Sequence, residues 1–259
     1  MTAPLCASFL QTPGWREVLT PAALQSMSYT EQHSKPCLLN SSIHCPEAEE
    51  WDRHWKALDK SLRGRLFTLF RRQVRARSVS GYLARHFRSS GVYVECGSGS
   101  AQASWRIRQR VDQTFLALDF ARGPLTMALG QQCMSGGIQA DIRHLPFRDQ
   151  SVAGIWNLGV MEHFEADEQL QILREFNRVL QPGGQLLLWW PPRLALDHFL
   201  LSQFGWRFPA EPGRVTRKEA IELLNQAGFR KIKADFPIDD ALTELVLHGT
   251  ATHGNQASD

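Results

Sequence analysis

The chain has 259 residues, of which 43% are hydrophobic and 21% are charged, a composition typical of a globular protein rather than a disordered one. No apolar stretch approaches the roughly 18 residues that a membrane-spanning helix needs. The N-terminus lacks the basic and apolar blocks of a secretory signal, and the five cysteines form no CxxC pair. We therefore expect a reduced, cytoplasmic protein.

The net charge of +3 is unevenly distributed along the chain. Between Arg53 and Ser90 there are eleven Lys or Arg side chains and one acid, Asp59, whereas the remainder of the chain is acidic on balance. Such a separation of charge favours an anionic partner for this segment. Three interpretations stay open: a solvated helical face, contact with an anionic membrane surface through residues 53–90, and the less favoured binding of nucleic acid.

The first 48 residues are polar, with scattered prolines and no sustained periodicity, and we expect residues 1–48 to be a poorly ordered or loosely attached arm. Their histidines and cysteines match no structural zinc spacing, so no metal site is predicted. From Trp51 to Phe87 apolar residues recur at steps of three and four, which predicts helices divided at Gly64 and Gly81. Residues 49–90 are thus predicted to form a basic helical extension.

A glycine-rich turn follows the first predicted strand of the main domain. The apolar run from Val92 ends in Glu95 and Cys96, and Gly97 and Gly99 come immediately after it. Glycines at such a turn allow positive φ and a close approach of the backbone to a nucleotide-like ligand. A helix over residues 102–110 is predicted to follow.

A second predicted strand, residues 114–119, ends in Asp119, about 20 residues beyond the glycines. An acid at that place in a nucleotide-binding βαβ unit accepts hydrogen bonds from a ribose diol. A dinucleotide fingerprint would have its third glycine at position 102, where Gln102 stands. The turn therefore points away from NAD.

Strands and helices continue to alternate along the chain, which predicts a mainly parallel sheet. A capping box at Thr216 and Glu219 begins one of the later helices, which is predicted to end at Gly228. The predicted later strands are 137–140, 152–157, 186–190 and a closing pair at 229–236 and 242–249, and the predicted later helices are 126–133, 165–180 and 217–227.

Segments in a fixed order along the chain resemble the class I S-adenosylmethionine-dependent methyltransferases of the type 11 group. Glu95–Gly99 resembles the first motif of that family, Ala140–Asp141 with Leu145–Phe147 resembles its adenine-side segment, and residues 178–184, Arg-Val-Leu-Gln-Pro-Gly-Gly, resemble the turn before its fifth strand. The resemblance covers residues 90–248. It implies a doubly wound Rossmann-like α/β fold over residues 91–249, with a seven-stranded sheet closed by a C-terminal antiparallel hairpin, followed by a loose tail at 250–259.

The resemblance also implies S-adenosyl-L-methionine as the cofactor and assigns residues to it. Glu95 would lie near the donor's amino group, Asp119 would hold the ribose, and Asp141 with the Ile142 N–H would face the adenine. Residues in the expected cofactor site are Glu95, Gly97, Gly99, Asp119, Phe120, Asp141, Ile142, Asn157 and Leu158. His163 is a candidate general base, with a structural role as the alternative.

The implied function is methyl transfer to a small-molecule or lipid-linked acceptor. Two alternatives stay open: a non-catalytic binding or regulatory subunit with this fold, and an RNA methyltransferase that uses the basic helix. Trp51 and Trp55 are expected to fold over the donor, and residues 189–215 are expected to cover the acceptor.

Overall fold

A computed structural model describes residues 14–40, 43, 46–60, 65, 68–69, 71–192, 212–236 and 245–253. The first part of the expected N-terminal arm, most of the expected acceptor cover and most of the C-terminal tail lie outside these residues. Among the residues that are described, no helix is both long and apolar enough to cross a bilayer.

A single mixed sheet organises the molecule. Its strand order is β1-β2-β5-β4-β3-β6-β7-β9-β8. Strands from β2 to β7 pair in parallel with their neighbours, whereas β1 at one edge and β9 with β8 at the other pair antiparallel. The strands are β1 Met27–Gln32, β2 Lys35–Asn40, β3 Gly91–Cys96, β4 Gln113–Asp119, β5 Gly136–Gln139, β6 Val152–Leu158, β7 Leu180–Trp190, β8 Phe229–Asp235 and β9 Leu245–Ala251.

Helices cover both faces of the sheet. They are α1 Trp15–Val18, α2 Pro21–Ser26, α3 Pro46–Lys60, α4 Ala76–His86, α5 Arg122–Leu129, α6 Ala166–Val179 and α7 Arg217–Gln226, with a π-helical turn at Arg71–Arg75 and a 3₁₀ turn at Met161–His163. Alternate residues of a strand point to opposite faces. On β3, Val92 and Val94 therefore join one apolar cluster, while Tyr93 stacks on Phe87 and Phe115 in the other.

The sheet has nine strands rather than the predicted seven, because two strands are added at its N-terminal edge. The hairpin of β1 and β2 is joined to β5 through Cys37 and Leu38, which pair with Gly137 and Ile138. Trp15 is fully buried against Gly136. For residues 14–40 the expectation of a poorly ordered arm is thus corrected, because the energy of burying this indole and the hairpin's inner face holds the segment on the sheet.

The connection after the glycine turn also differs from the prediction. A helix over residues 102–110 was expected, but the segment is a series of turns with Ala101 at φ 51°. The connection must return along the length of a six-residue strand, roughly 20 Å at 3.3 Å per residue. The chain makes this return through turns rather than through a helix.

Other predicted elements are confirmed with small shifts of their ends. The capping box forms, because the Glu219 N–H donates to the Thr216 hydroxyl at 3.3 Å and the Thr216 N–H donates to the Glu219 carboxylate at 2.7 Å. Gly228 follows the helix at φ 92°.

Gly81, however, lies inside α4 and does not divide it. Arg71 and Arg75, at 8% and 9% exposure, are buried rather than part of a solvated face.

Candidate active site

The glycine turn lies at the carboxyl end of β3, in the middle of the sheet. Gly97 has φ 68°, and a Cβ on it would come within 2.7 Å of Val160 Cγ2. Gly99 has φ 51°, and a Cβ there would overlap the Trp55 indole. Both positions therefore need glycine for two reasons: the backbone has a positive φ, and a neighbouring side chain leaves no room for a Cβ.

Glu95 stands at the base of this turn and is 1% exposed. Its Oε2 has no hydrogen-bond partner among the residues that the structure describes. Burial raises the pKa of Glu95 to about 8, although the neighbouring Ser104 hydroxyl and the Arg71 charge act in the opposite direction. A buried carboxyl of this kind gains most from a cationic ligand that restores its ionised form.

Asp119 ends β4 beside the turn. Its Oδ2 accepts from the Gly99 N–H at 2.8 Å and its Oδ1 accepts from the Ala121 N–H at 2.9 Å. Burial raises the pKa of Asp119 to about 6, with the two backbone N–H groups opposing the rise and the Asp52 carboxylate adding to it. Each oxygen keeps a second lone pair, so the carboxylate can still accept from ligand hydroxyls.

Asn157 joins the ends of two neighbouring strands. The fully buried side chain donates from Nδ2 to the Cys96 carbonyl at 2.7 Å, while Oδ1 has no partner among the described residues. Leu158 follows it and is also buried. The floor of the site is therefore fixed by a hydrogen bond between β6 and β3, with one amide oxygen left to accept.

On the adenine side the structure places Asp141 in a clasp with Arg143. The Asp141 carboxylate accepts from the Arg143 backbone N–H at 2.8 Å and from its guanidinium at 2.8–3.1 Å. Burial acts to raise the pKa of Asp141, but the hydrogen bonds from Arg143 outweigh it and hold this pKa below its usual value. Ile142 is buried beside it, and the Phe120 carbonyl accepts from Gln139 Nε2 at 3.0 Å.

Helix α3 lies across the open side of these strand ends. Its Asp52 accepts from the Gly123 N–H at 2.8 Å, near the start of α5. Its Trp55 packs on the glycine turn and is itself covered by the Arg71 guanidinium, 5.4 Å from the ring centroid. These contacts agree with the expectation that aromatic residues of the extension fold over this site.

His163 lies in the 3₁₀ turn after β6, directly under the same helix. Its ring meets Trp51 edge to face with 4.9 Å between centroids, and His54 packs against the other side of the cluster at 5.4 Å from Trp51. Burial lowers the pKa of His54, and the charge of His163 lowers it further. Two imidazoles and an indole thus stand together at the edge of the site.

Carboxyl ends of adjacent parallel strands meet at one edge of a sheet, and the site residues on β3, β4 and β6 gather there as predicted. Sequence reasoning missed Asp52 and Arg71, which come from a basic stretch interpreted as surface. It also missed the Arg143 clasp. The i, i+2 spacing of Asp141 and Arg143 is the only local signal for it.

The residues present fit an aminoacyl nucleoside such as S-adenosylmethionine. Glu95 offers a buried, unpartnered carboxylate oxygen to an ammonium group, and Asp119 retains acceptor capacity for a ribose diol. Gly97 keeps the turn between them in shape, because a side chain there would clash with Val160. The fit rests on these groups together, because none of them alone selects the ligand.

The fold is that of the class I S-adenosylmethionine-dependent methyltransferases. Within that class, residues 93–188 match the family described as a methyltransferase domain. The matched segment runs from β3 to β7 and so contains the glycine turn, both strand-end acids and His163.

Known proteins similar to the chain cover it only in part. The malonyl-[acyl-carrier protein] O-methyltransferase of Yersinia pestis is 37% identical over 93 residues, which are 36% of this chain and 33% of that protein. The probable tRNA methyltransferase 9B of Mus musculus is 44% identical over 50 residues, 19% of this chain and 11% of that protein. The chain thus spans a third or less of the length of these curated relatives.

A solved structure extends the likeness at the level of the fold. Magnesium protoporphyrin IX methyltransferase from Synechocystis PCC 6803 superposes with a TM-score of 0.56 at 15% identity, covering 79% of this chain and 95% of that one. At this identity the likeness shows the shared fold alone.

Proposed function

We propose that the chain is an active methyltransferase that binds S-adenosylmethionine and releases S-adenosylhomocysteine. The observation that carries the proposal is the buried Glu95 carboxyl, with an oxygen that no described residue satisfies, at the foot of the Gly97–Gly99 turn and next to Asp119. Bound there, the sulfonium of the donor supplies a methyl group that transfers in line to a nucleophile. The protein's part is alignment, which can contribute roughly 7–11 kcal/mol.

Each residue of the donor site has a role in this proposal. Glu95 holds the ammonium group, Asp119 accepts from the ribose hydroxyls, and Asn157 with Leu158 forms the floor. Asp141 accepts from the adenine amino group through the lone pairs that Arg143 does not occupy. The proposed donor-binding set is Glu95, Gly97, Gly99, Asp119, Phe120, Asp141, Ile142, Asn157 and Leu158.

His163 is the proposed general base, which takes the proton that a hydroxyl or amine acceptor loses on methylation. Its position between the strand ends and Trp51 supports this role, and the half-buried His54, which packs on the same Trp51, gives it a second imidazole nearby. His163→Asn should lower kcat about a hundredfold, within the range of general-base effects, while donor affinity is kept. An unchanged kcat would assign His163 to structure instead.

The proposed acceptor is a small or lipid-linked molecule. The acceptor named for the Yersinia relative, a malonyl group on a carrier protein, supports a small reacting group carried on a larger partner. The basic extension, residues 53–90, would then face an anionic membrane surface. The name of the mouse relative favours a second candidate, an RNA acceptor bound through the same extension.

The test is calorimetric titration of the protein with S-adenosylmethionine and S-adenosylhomocysteine, with NAD as the control. We expect both sulfur compounds to bind and NAD not to. If neither bound, the alternative of a non-catalytic subunit would take precedence. Donor binding without turnover on vesicle, RNA and small-molecule acceptors would favour the same alternative.

A further inference from the structure

A second concave site lies outside the proposed donor pocket, between α4 and the turns that connect β3 to β4. It has a volume of about 650 Å³, within the range of small-molecule sites. None of its lining residues belongs to the proposed donor site, and none is acidic. The lining residues are Ser80, Trp105, Arg106, Ile107, Arg108, Gln109, Gln132 and Cys133.

Two arginines dominate the chemistry of this groove. Arg106 and Arg108 flank Ile107, which is buried, so the chain is anchored between the two guanidinium groups. The Arg106 Nη2 donates to Gln73 Oε1 at 3.4 Å, whereas the buried Nε–H of Arg106 has no acceptor among the described residues. Arg108 is exposed, and within the described part of the chain no carboxylate lies at ion-pair distance from it. Both cations are therefore available to an anion.

Trp105 holds this arrangement in place. Its indole N–H donates to the Arg72 carbonyl at 2.9 Å, and its ring lies under two guanidinium groups, Arg72 at 5.2 Å and Arg106 at 4.7 Å from the centroid. Arginine stacked on an aromatic ring loses rotational freedom before any ligand arrives. Less entropy is then lost when such a guanidinium binds an anion.

The stretch of sequence that supplies most of the groove is strongly basic. Residues 71–110 contain nine arginines and no lysine, and their single acid, Glu95, is buried in the donor site. The nearest following acid, Asp112, is already paired with Arg110 at 3.0 Å. Arginine, rather than lysine, suits an anion with several oxygens such as a phosphate, because the planar guanidinium contacts two of those oxygens through two N–H groups.

We propose that this groove binds the phosphate group of a phosphorylated ligand, with Arg106 and Arg108 on the phosphate oxygens and Trp105 and Ile107 against the organic part. The phosphate belongs to a free phosphate ester or to a lipid headgroup. This site is distinct from the proposed donor site and does not depend on methyl transfer. The two sites share a wall, since Arg72 contacts Trp105 and Arg71 contacts Trp55.

The test measures binding of inorganic pyrophosphate to the full chain by calorimetry, in the presence and absence of S-adenosylhomocysteine. We expect saturable binding that the nucleoside does not displace. In R106Q/R108Q the affinity should fall at least about tenfold, whereas the exposed Arg174→Gln on α6, with the same charge change, should leave it unaltered. R106K/R108K keeps the charge but lacks the paired N–H donors of the guanidinium, so it should recover only part of the affinity.

Equal affinity in the wild type and R106Q/R108Q would overturn the proposal, as would displacement of pyrophosphate by S-adenosylhomocysteine. Thermal melting of every variant verifies that it is folded, and donor titration on the same samples separates this test from that of the methyltransferase proposal. Flotation with phosphatidic acid vesicles, against phosphatidylcholine vesicles, distinguishes the sources. Capture that needs both arginines assigns a lipid headgroup, and pyrophosphate binding without capture assigns a free ester.

Discussion

His248 on β9 makes the fold sensitive to acid. Its ring lies 4.0 Å, centroid to centroid, from His86 at the end of α4, and its Nε2 is 2.6 Å from Gln185 Oε1. Burial is the main cause that lowers the pKa of His248 to about 4; the charges of His86 and Lys233 act in the same direction and that of Asp235 in the opposite one. Protonation is therefore disfavoured in the folded chain.

The sign of the effect follows from that lowered pKa. Between pH 6.5, where an ordinary histidine titrates, and about 4, the unfolded chain binds a proton at His248 that the folded chain does not. Stability should therefore fall as the pH drops through this window. At 1.36 kcal/mol per pH unit the difference of about 2.5 gives an upper bound of about 3 kcal/mol. Because the ring is partly exposed, solvent screening reduces this to about 1–2 kcal/mol.

The assay is urea denaturation of the wild type and His248→Gln at pH 7 and at pH 4.5. The wild type should lose about 1–2 kcal/mol more than the variant between the two pH values. The exposed His144→Gln serves as the control and should lose as much as the wild type. A wild-type loss no larger than that of His248→Gln would refute the reasoning, and NMR titration of the His248 ring would locate the error.

Three further predictions concern the donor site and one helix. Asp119→Asn should weaken S-adenosylmethionine binding by about 1.5–3 kcal/mol in calorimetry, since it removes charge-assisted acceptors, and unchanged affinity would reject its assignment. Gly97→Ala should lower the free energy of unfolding by at least about 1 kcal/mol, because of its φ of 68° and the Val160 contact. Adding Val160→Ala should relieve only the contact, so a double variant as unstable as the sum of the two singles would contradict this explanation. Thr216→Ala should cost about 1 kcal/mol in urea denaturation by removing the cap of α7, and no loss would mean that the cap contributes nothing.

Short stretches of the sequence were enough to predict much of the fold. The glycine turn, the strand-end acids and the capping box of α7 are each specified within a few residues, and each was predicted where the structure has it. Parallel strands then bring Glu95, Asp119 and Asn157 together without further information, because their carboxyl ends share an edge.

The features that escaped prediction depend on distant partners. The β1–β2 hairpin has meaning only once β5 is present, about a hundred residues later, and nothing within its own sequence marks it as part of the sheet. Arg71 and Arg75 are typical surface residues by composition, yet they are buried because the π-helical turn faces Trp55 and the donor site. The helix expected after Gly99 is replaced by turns, for which the sequence offers no local signal.

The N-terminal hairpin also bears on how the chain folds as it is made. Leu38 pairs with Ile138, and the Arg148 guanidinium donates to the Leu19 carbonyl across 129 positions of the chain. At typical synthesis rates of about 5–20 residues per second, Leu19 and the β1–β2 hairpin wait several seconds for these partners. Contacts of such long range slow folding, and unpaired strand edges are prone to associate with one another. This hairpin is thus synthesised well before the neighbours that hold it on the sheet.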